Sequence, residues 1–271
     1  MLDVIAAAHT HTMLSDTDKQ VIGALLGALI GAVAGSIGTY LVGENARKKQ
    51  RELSEIDKIR QQIKASTGAL VAAQNNLHNL LVMALKNAGH SRDITKGIYD
   101  SQSRLTTFTM NLPLPYQIEN GISDGVMNTN LVIQWDALET EVMLHNSNII
   151  EFNDYYSFLR TSVHSAQLTN PNSLNLNTVI SDSTTIASGA QQQVEACAHF
   201  RERCIKVLAL VECHVAQYKK IDYKTITLAE LEEYRQKLID HKPSDSELKK
   251  KIEAANDQYT EDKAFGVNAT L

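Results

Sequence analysis

Apolar and polar positions alternate along this chain in two ways: one unbroken apolar run near its start, then, from residue 56 onward, apolar positions spaced alternately three and four apart. The run from Val21 to Val42 carries no charge. At 1.5 Å per residue it reaches roughly 33 Å, against a hydrocarbon core of about 30 Å, and so predicts a transmembrane helix over 21–42. A cleaved secretory signal is the competing reading, because Ala32-Val33-Ala34 resembles a small-residue cleavage site. The apolar run continues past that site, however, and the segment before it offers Asp3, Asp16 and Asp18 ahead of the single Lys19 where a basic region is required. A start at Met13 instead of Met1 would shorten the tail, 1–20, and change nothing else.

From Arg47 to about Ala88 no proline intervenes, and Ile56, Ile59, Ile63, Leu70, Ala73, Leu77, Leu80 and Ala84 form a heptad seam with Ser66 filling its one gap. Asn87-Ala88-Gly89 reads as a helix stop. A shorter amphipathic stretch over roughly 91–111 then leads into Leu112-Pro113-Leu114-Pro115, which cannot continue a helix and predicts a loop. The most regular pattern is Leu131, Trp135, Leu138, Val142, His145, Ile149, Phe152, Tyr156, Leu159 and Val163. After Thr169-Asn170-Pro171, a cap and first-turn combination, a second seam follows: Leu176, Ile180, Ser183, Ala187, Ala190, Val194, Cys197, Arg201, Cys204, Leu208, Val211, Val215 and Tyr218. The short connection predicts an antiparallel pair. Two shorter helices are each announced by a capping-box pattern, Thr227 with Glu230 and Ser244 with Glu247.

The expectation is therefore an all-α chain: a transmembrane helix followed by an elongated antiparallel helical bundle over 47–260 with coiled-coil-like seams, rods on the order of 65 Å long, and a flexible tail, 261–271. Lysine and arginine concentrate after the span, at Arg47, Lys48, Lys49, Arg51, Lys58 and Arg60, which predicts a cell-membrane protein, single-pass, with the C-terminal domain cytoplasmic. The three cysteines, Cys197, Cys204 and Cys213, lie too far apart along one helix to pair with one another and fit a reducing compartment. A net charge of −5 and a pI near 6.0 argue against nucleic acid as a partner. The run Lys249-Lys250-Lys251, flanked by Glu247 and Glu253, reads as a solvated helix face.

Chemistry is thin. No phosphate loop, dinucleotide fingerprint, nucleophile elbow, HExxH or CxxC occurs, so no cofactor is expected. One constellation remains: Glu141 with His145, and Glu195 with His199, each four apart on a helix face, at a similar height if the turn centres near Asn170. Carboxylates and imidazoles at one level of a bundle could hold iron, manganese or zinc, with Cys197 nearby. Carboxylate metal bundles use Glu-x-x-His and two further glutamates, whereas both pairs here are Glu-x-x-x-His, so the pattern reads instead as a core histidine beside solvated glutamates. Arg201 reads as snorkelling to the bundle edge or pairing with a carboxylate. Cys197 and Cys204 read as packing residues.

Within the apolar run Gly23, Gly27, Gly31 and Gly35 repeat every four residues, with Ala24, Ala28, Ala32 and Ser36 beside them. Such a bare face admits a second helix closely, where lipid supplies no hydrophobic drive. The leading expectation is a membrane-anchored, non-enzymatic interaction or scaffold protein. Its partners would be membrane lipid, a second copy or another membrane helix, and a cytoplasmic protein. The alternatives are a single-pass signalling protein that transmits helix shifts, and a metal-dependent helical-bundle enzyme.

Overall fold

Alternating three- and four-residue spacing turns into helices buried along one stripe. The computed structural model describes residues 16–100, 111–118, 125–169, 176–218 and 227–260, in five α-helices and no strand among the described residues. These are α1 (Asp16–Asp100), α2 (Thr129–Thr169), α3 (Leu176–Tyr218), α4 (Leu228–Ile239) and α5 (Asp245–Gln258). Of the outer tail expected over 1–20, residues 1–15 lie outside the described residues, as do the tail 261–271 and the turn at Asn170-Pro171, while residues 16–20 already belong to α1. The chain divides into two compact units, residues 1–58 and 59–271.

In the first unit α1 is apolar and exposed on every side: each residue from Gln20 to Gly43 faces outward, with Leu25 at 66%, Leu29 at 64% and Val42 at 70% exposure. It is the one helix among the described residues long and apolar enough to cross a membrane. Its hydroxyls fold back on the helix. Ser36 donates to the Val33 carbonyl at 2.9 Å and Thr39 to the Gly35 carbonyl at 2.8 Å, so neither needs an outside partner.

The second unit begins where burial of α1 begins. Ile59, Ile63, Leu70, Ala73, Leu77, Leu80 and Ala84 are buried as their spacing predicts, and so is the polar Ser66. Its hydroxyl shares a 2.8 Å hydrogen bond with the Tyr218 hydroxyl at the end of α3 and accepts the Met127 N–H at 3.4 Å, which offsets the cost of burying it. The stop expected at Asn87-Ala88-Gly89 does not operate. The helix continues through it to Asp100, because Ile94 and Ile98 extend the seam into a cluster with Phe152, Tyr156, Leu159, Val163, Ile186, Ala187 and Ala190. Burying an isoleucine contributes about 1.5–3 kcal/mol, more than the roughly 1 kcal/mol that a mid-helix glycine costs. The separate helix expected over 91–111 is accordingly the end of α1 as far as Asp100, and 101–110 lie outside the described residues.

The proline-rich segment 111–118 is extended, as expected of a loop, and travels back along α1. Leu112 meets His90, Leu114 meets Asn87, and Met127 reaches Ser66. It therefore returns the chain to the end at which α1 entered the unit, and α2 starts there parallel to α1, where an antiparallel bundle was expected. A long connection permits this; a tight hairpin would not. Gly125 sits on this return path: a Cβ there would lie 2.9 Å from the Ala69 Cβ, a fit no larger residue has.

α2 buries the apolar positions of the predicted stripe, from Leu131 and Trp135 through Leu159 and Val163, with His145 among them only partly buried, and Trp135 donates its indole N–H to Glu139 at 2.5 Å. α3 returns antiparallel to it as expected, with Gln193 donating to the Asn148 carbonyl at 3.4 Å and Gly189 facing the Phe152 ring. Three seam positions differ, one of them Val194, which is only partly buried beside the buried Gln193. Ile180 is 42% exposed, and the stripe steps from Cys197 to a fully buried Phe200, leaving Arg201 half-buried. Three- and four-residue steps both continue a stripe, and burying an aromatic ring is favourable where burying a guanidinium is costly.

Beyond Cys204 α3 is buried around most of its circumference, against α2, α4 and α5, and opens to the outside at Lys206. α4 opens on a complete capping box between Thr227 and Glu230, and α5 on Ser244 accepting the Glu247 N–H at 3.3 Å. Lys251 departs from the solvated reading by pairing with Glu212 of α3 at 2.9 Å. At the α4 to α5 junction Asn128 does two jobs. Its Oδ1 caps α2 through the Leu131 N–H at 3.0 Å, and its Nδ2 donates to the Ile239 and His241 carbonyls at 2.8 and 3.0 Å. His241 in turn meets the ring of His214, which is 1% exposed, at a centroid distance of 4.9 Å.

Two predictions follow from this junction. Asn128→Ala should destabilise the fold by about 2 kcal/mol, and Asn128→Ser, which restores a capping hydroxyl, should recover about half of that. Thermal unfolding of the full chain followed by circular dichroism checks both, and equal midpoints for wild type and the alanine variant would contradict the assignment.

Burial, reinforced by His241, pushes the His214 imidazole down to about 4 from its ordinary 6.5. The unfolded chain then binds the extra proton between those values, so stability is complete above pH 6.5 and falls as pH drops toward 4, by about 3 kcal/mol. His214→Leu should flatten that part of the urea-midpoint profile; an unchanged slope would count against it.

Candidate functional site

The first candidate place is the glycine row. A Cβ built at Gly23, Gly27, Gly31 or Gly35 meets nothing within 4 Å. Gly125 and Gly189 behave differently, since a Cβ at either would press on Ala69 or on the Phe152 ring, so their glycine is explained by packing inside the chain. No contact within the chain calls for the glycine row.

The second is the level of Glu141 and His145 on α2. Their closest approach is 3.9 Å, and the other carboxylate oxygen of Glu141 lies 3.9 Å from the guanidinium Nε of Arg203 on α3. Arg203 also donates to Gln134 at 3.0 Å, which ties α3 to α2 on this face. Burial pushes the His145 imidazole below its ordinary value, and the Glu141 carboxylate pulls it back only in part. A neutral ring results near pH 7.

Glu195 and His199 are exposed on α3 and do not complete this level. Among the described residues no group of three or more His, Cys, Asp or Glu side chains is gathered closely enough to hold a metal ion. What fills the space is Tyr116. Its ring centroid lies 4.5 Å from that of Phe200 and 6.2 Å from that of His145, which itself lies 4.9 Å from Phe200. The Tyr116 hydroxyl reaches the Cys197 Sγ at 3.5 Å. Neither Tyr116 nor Phe200 was singled out by the sequence pattern. Phe200 was masked by Arg201 one residue away, and Tyr116 sits in a segment without periodicity.

Tyr116 is placed by its backbone. The segment 112–116 has two prolines, which bring no N–H, and much of its remaining backbone polarity is taken up by side chains of the flanking helices. Asn87 of α1 makes a two-bond clamp on Leu114, donating to its carbonyl at 2.8 Å and accepting its N–H at 2.9 Å. Asn146 of α2 makes the same clamp on Tyr116, at 2.8 and 2.6 Å. Asn153, two helical turns along the same face, donates to the Pro113 carbonyl at 2.8 Å. An extended strand of this kind has no ladder to bond to, and the asparagines stand in for one. The signal in the sequence is the pair Asn146 and Asn153, seven residues apart beside an apolar stripe.

The cysteines are free and buried. Burial raises the thiols of Cys197 and Cys204, and that of Cys213 is pushed up to about 11, again chiefly by burial. All three stay protonated near pH 7, the form that packs as a small apolar group rather than attacking or ligating.

No protein-family model, no curated protein and no solved structure matches the chain, so the reading of its function rests on these two places alone.

Proposed function

We propose that this chain is a membrane-anchored, non-enzymatic helical interaction protein that self-associates through the Gly23, Gly27, Gly31 and Gly35 face and presents its second unit in the cytoplasm. The observation that carries the reading is the exposure of an uncharged apolar helix on every side: a core helix of that composition would be covered by its own chain, and this one is not. Lipid is the surrounding that suits it, and the hydroxyls of Ser36 and Thr39 fold back on the helix, which leaves Tyr40, near the end of the run, to present its hydroxyl outward. The glycine row supports self-association because it forms a bare face that packing within the chain does not require. Tyr116 and Phe200 pack beside His145 while Glu195 and His199 are exposed, which weighs against the metal-enzyme alternative.

Orientation is checked by a reporter fused after Leu271, expected to be active only when it is a cytoplasmic reporter; activity of one that works only outside the cytoplasm would reverse it. Self-association is checked by cross-linking in native membranes. Gly27→Ile with Gly31→Ile leaves insertion intact, because isoleucine is the more apolar residue, yet holds a neighbouring helix several ångströms further off. The cross-linked fraction should fall about fivefold, a loss on the order of 1 kcal/mol of packing. Leu25→Ile and Leu29→Ile, on another face, should leave it unchanged. An identical oligomer with and without the glycine changes would remove the interface from this reading.

A further inference from the structure

The end of the apolar run carries a second feature, distinct from the glycine row. Ser36, Tyr40, Gly43, Arg47 and Arg51 follow one another at four, three, four and four residues, so they share one face of α1 and line a single open groove on the first unit. Tyr40 is 68% exposed at its apolar end, and Gly43 leaves a notch with nothing within 4 Å of the place a Cβ would take. Over 44–51 four cations, Arg47, Lys48, Lys49 and Arg51, stand against the one carboxylate of Glu44, and the next carboxylates, Glu52 and Glu55, follow further from the apolar run. Glu44 is committed to Lys48 at 3.6 Å, while Arg47, Lys49 and Arg51 have no acidic partner among the described residues.

We infer that this face is a binding site for the headgroup of an anionic phospholipid in the leaflet where the span ends, an inference that rests on the membrane reading above. Depth selects the residues. Along the helix Arg47 lies about 7 Å and Arg51 about 13 Å beyond Val42, while the headgroup layer is roughly 5–7 Å deep on each side of the hydrocarbon. Arg47 therefore stands at phosphate level, and Arg51 reaches back to it along its flexible stem. Lys58, about 24 Å beyond Val42, lies outside both the layer and the screening length of about 8 Å. Chemistry agrees with depth. A guanidinium offers paired N–H donors that match two phosphate oxygens, the notch at Gly43 lets the phosphate come down to the helix, and the Tyr40 hydroxyl can donate from the apolar side. The excess of positive charge favours a headgroup that keeps a net negative charge over a zwitterionic one.

The test uses the full chain in nanodiscs of phosphatidylcholine with a minor share of phosphatidylglycerol, followed by native mass spectrometry of the lipids it retains on release. Phosphatidylglycerol should be enriched over its bulk share, and Arg47→Gln with Arg51→Gln should lower that enrichment on the order of tenfold, while Lys58→Gln leaves it as it was. Retention at the bulk ratio, or an equal loss from Lys58→Gln, overturns the site. Displacement by excess inorganic phosphate overturns the lipid as its ligand in favour of a free anion. Flotation with pure phosphatidylcholine vesicles separates the two levels: a chain that floats without enrichment loses only this site, and one that does not float loses the membrane reading as well.

Discussion

Between Cys204 and Tyr218 α3 keeps only a narrow outer edge, at the exposed Lys206: Ile205, Val207, Leu208, Ala209, Val211, Cys213, His214 and Val215 point around the rest of the helix and are all buried. A helix apolar around most of its circumference must be covered around most of it. The second unit meets that requirement with α2, α4 and α5, and ties the helix end to α1 through the hydrogen bond between Tyr218 and Ser66. At about 1.5–3 kcal/mol for each large side chain taken fully out of water, this stretch is where the short C-terminal helices gain their stability. Neither α4 nor α5 is long enough to persist alone. The thiol of Cys213 and the imidazole of His214, caught in the same volume, are consequently held in their neutral forms.

Parallel placement of α1 and α2 creates a second requirement. The chain has to come back along the bundle before α2 can start, and its return path lies over buried apolar faces where bare backbone is costly. Proline at 113 and 115 removes two donors, and Asn87, Asn146 and Asn153 bond to much of the rest. That arrangement delivers the Tyr116 ring to the level of His145, Phe200 and Cys197. A histidine, a glutamate and a cysteine in proximity then become a packed joint between α2, α3 and the return segment, with Arg203 covering the carboxylate.

The first unit poses the opposite physical problem, apolar surface with no cover. Its glycines meet nothing, its large side chains face outward, and the hydroxyls of Ser36 and Thr39 bond to their own helix. Whatever surrounds this helix has to be apolar along 21–42 and tolerant of positive charge immediately after it. A bilayer with anionic headgroups satisfies both conditions at the observed spacing.

The helices of the second unit were legible because periodicity is a local property. A stripe such as Leu131 to Val163 states which face is buried whatever covers it, the capping residues Thr227 and Ser244 act within four residues of themselves, and Ser66 showed as a polar member of an apolar seam. The partners of those faces were not legible. Ser66 is satisfied by Tyr218, far along the chain, and Asn87 looked like a helix stop until its amide was found holding Leu114. The choice of Phe200 over Arg201 depends on what α2 and Tyr116 offer at that height. The sequence by itself determined an uncharged apolar helix, a set of amphipathic helices and their caps, since these follow from spacing and side-chain type. Only the tertiary structure decided that α1 and α2 run parallel and that the glutamate and histidine level is filled by a tyrosine, because both depend on contacts between residues that no local pattern connects.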